Sequence, residues 1–330
     1  MLSTEKPRPA LPRGASRCSW GDSDHYQPRP ALQYCRQQPP HEDESSPAIN
    51  LILIKPSERS MDTGAVDLEP NHERTNHILS HLKKTTGDIV SVGFVDSLGG
   101  CTCKAVVLQR QNGGVRLIPK PNTIVLSPSL PKITLLLAVP SPARLKYLWP
   151  VIASFSAVTR VVIVKAKLSN PDFMLSKALQ PSMYEPMIEN GMSQGGRTRP
   201  VQVDICPEDE SMSRNLLERL GLVCNNNTDG TARLFLDCGD EYVTPPPARD
   251  IVLEQCGKKR GNVPSAILVI GPERGWTDNE AKIFVKCGFQ SAMLGSSTLR
   301  ADTAVMSGLG IVSAALDECH KQKQSDQDYK

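Results

Sequence analysis

Residues 266–304 read AILVIGPERGWTDNEAKIFVKCGFQSAMLGSSTLRADTA, and the fold follows from their punctuation. Five apolar residues, 266–270, stop at Gly271-Pro272, too short a run for a free-standing helix and long enough for a buried strand. The turn Gly271-Pro272-Glu273-Arg274-Gly275 follows, and Thr277-Asp278-Asn279-Glu280 has the S/T-x-x-E form that opens a helix. Gly288 can adopt the positive φ that stops it. A second short strand, 291–294, ends at Gly295, and the small-residue loop Ser296-Ser297-Thr298 leads into another helix. Val305, Leu309, Val312 and Leu316 give that helix one apolar stripe. Two strand–loop–helix units therefore stand in series. In an α/β sheet both loops lie at strand C-terminal ends, where ligands usually bind. Neither loop is the G-x-G-x-x-G dinucleotide fingerprint, and neither carries the G-K-[ST] of a phosphate-gripping P-loop. Nicotinamide chemistry and ATP hydrolysis fall away with them.

The same alternation extends upstream. An apolar run at 133–139, a helix at 144–158 and a strand at 161–164 precede a polar, Met-containing region, 166–200, in which no element stands out. A strand at 201–205, a helix at 214–220 capped by Ser213, and a strand at 232–236 come next, and Pro245 to Pro247 bridge to the strand at 266. Strands and helices taking turns argue for an α/β fold with a mainly parallel sheet over residues 131–320. Residues 321–330 read as a polar tail. Earlier in the chain the pattern differs. An apolar LILI run from 51, a short helix at 75–84 and strands at 89–95, 103–109 and 115–119, separated by Gly99-Gly100 and Asn112-Gly113-Gly114, suggest a small β-barrel with a proline-rich linker over 48–130. Residues 1–47, rich in Pro, Arg, Gln and Ser, cannot bury a core and are expected to be disordered.

Composition limits the function classes. The chain has 330 residues, 22% of them charged, and a formal net charge of +3, so any nucleic-acid surface must be local rather than global. No apolar run is long enough to span a membrane, and no secretory signal pattern opens the chain. The ten cysteines show no C-x-x-C or Cys/His metal spacing, which favours reduced thiols over disulfides or a metal. The expected compartment is the cytoplasm, or an organelle matrix if the weakly basic tail is a transit peptide.

GPERGWTDNE followed by LGSSTLRADTA resembles the paired IGPEGG and LGxxILRxETA motifs of the RsmE-type ribosomal RNA uridine-N3 methyltransferases, a SPOUT-class family. The stretch NHILSHLKKTTGD, 76–88, is similar to that family's HHLxxVLRxxxGD. The resemblance implies a SPOUT-type trefoil-knotted, mainly parallel sheet with an N-terminal PUA-like RNA-binding barrel. Periodicity cannot show a knot, and unknotted connections are the rule. The resemblance also implies S-adenosylmethionine as cofactor, small-subunit ribosomal RNA as partner, a homodimer with the last helix at its interface, and no metal or membrane. Gly308 and Gly310 in that helix each cost about 1 kcal/mol against Ala, which a close helix contact would justify.

Site residues follow from the same motifs. Glycine turns let main chain approach a ligand, so Gly271, Gly275 and Gly295 are expected around the cofactor, with Ile270, Leu294 and Leu299 as apolar walls. By resemblance Leu236, Asp237 and Gly239 form the third wall. Arg300 stands at a helix N-terminus, where the macrodipole disfavours a cation, so something must hold it there. Its guanidinium suits the uracil carbonyl oxygens or an RNA phosphate, with Glu273 or Asp302 orienting it. Arg300 and Glu273 are the expected catalytic residues. Gln194 to Pro200 resembles the family's Q-[SC]-G-R-x-x-x-P segment and makes Arg197 and Arg199, with Arg300, expected RNA contacts.

Three departures stand against this picture. GPEGG is GPERG here, which puts Arg274 in the cofactor turn. The family's K-A-T-E-L-G helix signature is Ile152-Ala153-Ser154-Phe155-Ser156-Ala157, without its Lys and Glu. The basic start of the first barrel strand is neutral, Asn50-Leu51. Two alternatives therefore accompany uridine-N3 methylation: a catalytically degenerate RNA-binding assembly factor, and a SPOUT methyltransferase for another RNA position.

Overall fold

The computed structural model of the chain describes residues 51–60, 63–96, 100–223, 230–237, 244–257 and 263–328. The expected tail at 1–47 lies outside them, as do Gly99 and Gly239. Two sheets organise the rest.

The first sheet runs in the order β1-β3-β4-β5-β2, with β6 also paired to β4. Its strands are β1 (Ile52–Ile54), β2 (Val66–Leu68), β3 (Ile89–Phe94), β4 (Cys101–Gln109), β5 (Val115–Pro119) and β6 (Val125–Leu126). All pairs are antiparallel except β1 with β3. Strict alternation on β4, with Cys101, Cys103, Ala105 and Val107 buried, gives the sheet one apolar face. The expected helix at 75–84 is shorter and irregular: α1 (Glu73–Asn76) runs into one wide turn, His77–His81, which closes over Ile78.

The second sheet has six strands, all parallel, in the order β12-β10-β11-β7-β8-β9. They are β7 (Lys132–Ala138), β8 (Val158–Val164), β9 (Gln202–Ile205), β10 (Thr231–Leu236), β11 (Ser265–Ile270) and β12 (Gln290–Ala292). Helices cover both faces, so the strands are apolar on both sides. On β11, Ala266, Leu268 and Ile270 enter one core, while Ile267 and Val269 enter the other. The first core is closed by α2 (Pro142–Ser154), α3 (Pro181–Gln194), α5 (Ala248–Gly257) and α7 (Ala301–Asp328). The second is closed by α4 (Arg214–Arg219) and α6 (Asp278–Lys286). Its centre is aromatic: Phe284 stacks on Phe235 at 5.4 Å and meets the edges of Trp276 and Phe289. Each such pair adds about 0.5–1.5 kcal/mol beyond its area burial.

Two helices were not legible in the sequence. α3 falls in the polar region, and prolines hide it: Pro181 starts it, where the missing N–H costs nothing, and Pro186 interrupts its hydrogen bonding. It is held by contact with α2. A Cβ on Gly191 would lie 2.1 Å from the Pro150 carbonyl oxygen, so only glycine permits that crossing. α5 follows the proline bridge directly. Its mixed polar surface conceals the buried Ala248, Ile251, Val252 and Cys256. The first residues of the expected polar tail, 321–328, continue α7, which ends at Asp328.

The two sheets are fastened together. Leu51 N–H donates to the Ser193 carbonyl at 3.0 Å, and Asp96 N–H to that of Thr198 at 3.2 Å. Ser127 and Thr198 hydroxyls meet at 2.6 Å. The end of α3 and the loop after it thus carry the first sheet.

Candidate active site

Chain order reverses between β7 and β11, the place where open α/β sheets bind ligands. Beside it, at the C-terminal ends of β10, β11 and β12, lies a cavity of about 670 Å³. Its floor is Leu236, Ile270 and Ala292, the last residues of the three strands. Its lips are the 271–276 turn and the 293–299 loop. A volume of that size holds a cofactor-sized molecule.

Local chemistry fixes both lips. In the first, Gly275 N–H donates to the Pro272 carbonyl at 2.9 Å, and Gly275 has φ +74°. The Trp276 indole lies over Gly271, where a Cβ would come within 3.0 Å of Nε1. The Thr277 and Glu280 capping box is formed as the sequence predicts. Glu280 is also buried and accepts the Lys167 backbone N–H at 2.8 Å, which ties the turn to the loop after β8. In the second lip, Asp237 N–H donates to the Ala292 carbonyl, and Met293 bridges Pro246 and Ala248 through its own N–H and carbonyl. Gly308, on α7, packs beneath. Its Cβ position is 3.2 Å from Leu268 and 3.6 Å and 3.7 Å from Leu236 and Leu294. The close contact that justifies this glycine is with the cavity floor of its own chain. Gly310 faces open space.

Of the expected cofactor residues, Leu236, Asp237, Ile270, Gly271, Gly275, Leu294, Gly295 and Leu299 all line this one cavity. Gly239 lies outside the described residues. The wall also contains Trp276, whose buried Nε1 has no hydrogen-bond partner among the described residues. A buried donor without an acceptor is costly, and an acceptor-bearing ligand relieves it. S-adenosylmethionine fits these walls: apolar side chains for the thioether body and adenine face, glycine main chain for its polar edges, and an unfilled donor.

The charged residues separate into two ion pairs. Arg300 is exposed at the start of α7 and donates to Asp302 at 3.1 Å, while Asp302 also accepts the Thr303 N–H at 3.1 Å. The carboxylate belongs at that helix end, and it answers the question of what holds Arg300 there. Glu273 does not orient Arg300. It is taken by Arg144, in the first turn of α2, across the gap between β11 and β7. Arg144 was missed in the sequence, although the reasoning used for Arg300 applies to it: a cation at a helix N-terminus needs a partner.

Arg197 corrects the expectation more firmly. It is 4% exposed and donates to the carbonyls of Phe155 at 2.7 Å, Arg199 at 2.9 Å and Ala153 at 3.4 Å. It caps the C-terminal end of α2, where a cation is favoured, and it is turned away from any phosphate. Arg199 is half-buried and close by. Burial, with Arg199 adding, lowers the Arg197 pKa from 12.5 to about 9. Between those values the unfolded chain holds a proton that the folded chain has released, so the penalty of burying the charge is largest below pH 9 and eases as pH rises. Replacing Arg197 by Met leaves its carbonyls without a donor and should destabilise the fold by about 2–3 kcal/mol. In urea titrations the deficit relative to the parent should widen from pH 8 to pH 10. A variant as stable as the parent would show that the carbonyls find other donors.

The RNA methyltransferase domain family matches residues 128–313, more than half of the chain. The chain belongs to this family. Its relatives are of the RsmE type. The chain is 22% identical over 271 residues to ribosomal RNA small subunit methyltransferase E of Treponema pallidum, covering 81% of this chain and 91% of that protein. It is 45% identical to the Synechocystis protein of the same name over 60 residues, 18% of this chain and 20% of that one. The structure of the Neisseria gonorrhoeae ribosomal RNA small subunit methyltransferase E, bound to S-adenosyl methionine, superposes with a TM-score of 0.56 at 16% identity, covering 81% of this chain and 97% of that one. For this RNA methyltransferase the match establishes the fold as mixed α/β with a parallel sheet.

Proposed function

We propose that the protein methylates N3 of a uridine in small-subunit ribosomal RNA, using S-adenosylmethionine held in the 670 Å³ cavity. The observation that carries this reading is the convergence of two separated motifs, 271–276 and 293–299, on one cavity whose wall offers an unpaired indole donor. The cofactor supplies an electrophilic methyl group. The chain's own residues do the rest. Leu236, Ile270, Leu294 and Leu299 give it an apolar seat, and the Gly271 and Gly295 main chain meets its polar edges. Arg300, aimed by Asp302, faces the incoming uracil, where its guanidinium stabilises the negative charge left on O2 or O4 when N3 gives up its proton. Arg300, the cation of the pair, is solvent-exposed while Asp302 is half-buried, and a pair open to water on one side is worth about 1 kcal/mol, weak enough to yield to a substrate. Arg199 is the remaining expected phosphate contact of its segment.

The finer architecture belongs to the same proposal. A trefoil knot in the C-terminal sheet is part of this reading on the strength of the motif resemblance. The first sheet, carried on α3, corresponds to a PUA-like RNA-binding unit. A homodimer through the outer face of α7 is supported by Gly310, where an added Cβ would meet nothing among the described residues. Light scattering at micromolar concentration should then return twice the chain mass, and a monomer would remove the dimer. The function is tested by incubating the protein with labelled S-adenosylmethionine and purified small-subunit RNA, followed by digestion and nucleoside analysis. Labelled 3-methyluridine is expected. Label in another nucleoside would reassign the position, and cofactor binding without transfer would favour an assembly factor.

A further inference from the structure

Arg274 is the only Lys or Arg among the described residues lining the cavity. It stands where the resembling motif has glycine, and the structure shows what that change places there. The turn beneath it is rigid: Pro272 fixes one side, and the Gly275 N–H to Pro272 carbonyl bond closes the other at 2.9 Å. The side chain is exposed at the tip. Its charged neighbours are already satisfied, Glu273 by Arg144 and Arg300 by Asp302. Arg274 itself has no carboxylate partner among the described residues.

A guanidinium with no carboxylate partner among the described residues stands here beside a cofactor that is cationic at sulfur and at its amino group and anionic at its carboxylate. Like charges in a partly desolvated cleft repel, and two anions could offset them: the cofactor's own carboxylate, or an anion that arrives with the substrate. The cavity wall offers Asp237 and Glu273, both poorly placed to serve: Glu273 is engaged by Arg144, and Arg274 reaches neither. An RNA strand crossing the mouth brings phosphates, for which guanidinium geometry is well suited.

We propose that Arg274 grips a phosphate of the RNA substrate at the 271–276 lip, a substrate-positioning contact on the side of the mouth formed by β11 while Arg300 serves the 293–299 side. This rests on the reading of the cavity as the methyl-transfer site. A phosphate contact acts on substrate binding rather than on the chemical step, so Arg274→Gln should raise KM for RNA and leave kcat at saturating RNA unchanged. It should also change the salt dependence of RNA binding, because each neutralised phosphate contributes about 0.9 to the slope of log Kd against log salt on duplex and about 0.7 on single strands.

The experiment measures binding of the full chain to purified small-subunit ribosomal RNA across a salt series, without turnover, and cofactor affinity by calorimetry. The Arg274→Gln slope should fall by about 0.7–0.9 relative to the parent, while Arg274→Lys keeps it and the affinity for S-adenosylmethionine does not move in either. Arg214→Gln, which removes an equal charge from α4, outside the cavity lining, should leave the slope as it is. An unchanged slope in Arg274→Gln overturns the proposal. So does an equal fall in Arg214→Gln, which would reduce the effect to overall charge. Weakened cofactor binding with an unchanged RNA slope also overturns it, since Arg274 would then pair with the cofactor's carboxylate. The parent separates this from the broader reading: if it makes no 3-methyluridine but the slope still falls in Arg274→Gln, the function is wrong and the contact stands.

Discussion

Arg300→Lys is expected to bind S-adenosylmethionine as tightly as the parent and to methylate roughly 10²–10³-fold more slowly in a single turnover, the effect of removing one preorganised donor worth about 3–4 kcal/mol in the transition state. Lysine keeps the charge and can still reach Asp302. It lacks the planar pair of donors that can serve Asp302 and a uracil oxygen at once. The geometry makes this comparison clean, because Arg300 is not among the residues lining the cavity and its one carboxylate partner, Asp302, lies two residues away in the same helix turn. Single-turnover formation of 3-methyluridine on small-subunit RNA, with calorimetry on the same samples, reads both quantities. A lysine variant as fast as the parent would reduce Arg300 to a surface ion pair.

Gly295→Val should fold normally and lose cofactor affinity by about 100-fold or more, equivalent to about 2.7 kcal/mol. No atom of the described residues lies within 4 Å of where the new Cβ would sit, which leaves room for it there. That room is the cavity mouth, and a branched side chain there occupies the space that main chain leaves for the ligand. Calorimetric affinity equal to the parent's, in a variant with an unshifted thermal transition, would take Gly295 out of the site. Gly271 would make a poorer test, because a Cβ there strikes the Trp276 indole and disturbs the wall itself.

The cofactor half of the site was legible because its residues are punctuation. Glycines, a proline and a capping box mark strand ends, and strand ends in a parallel sheet share one edge, so short local signals reported a three-dimensional neighbourhood. The substrate half was less legible for an equally physical reason. An arginine carries the same letter whether it meets a phosphate or caps a helix from inside, and only burial separates the two. Arg197 proved to be the second kind. Glu273 was placed with the wrong partner because Arg144 comes 129 positions earlier in the chain, and no periodicity links residues that distant. The missing helices, α3 and α5, failed on composition. Prolines inside α3 contradict its local propensity, and tertiary contact with α2 overrides them. What the sequence showed of the first sheet was its alternation, not how its strands pair. The parallel pairing of β1 with β3 could not be read from a three-residue strand.

Gly308 has a consequence for communication through the molecule. The backbone of α7 rests, at this glycine, against Leu236 and Leu294, two side chains of the cavity wall. Anything that shifts α7 by a fraction of an ångström must move those walls, because packed interiors do not absorb such displacements. A displacement of the helix at this point would therefore reach the ligand within. If a partner that settles on α7 moves the helix, it changes the affinity of the molecule in the cavity, and that molecule changes the partner's affinity by the same factor; a position with no side chain is where the two would meet.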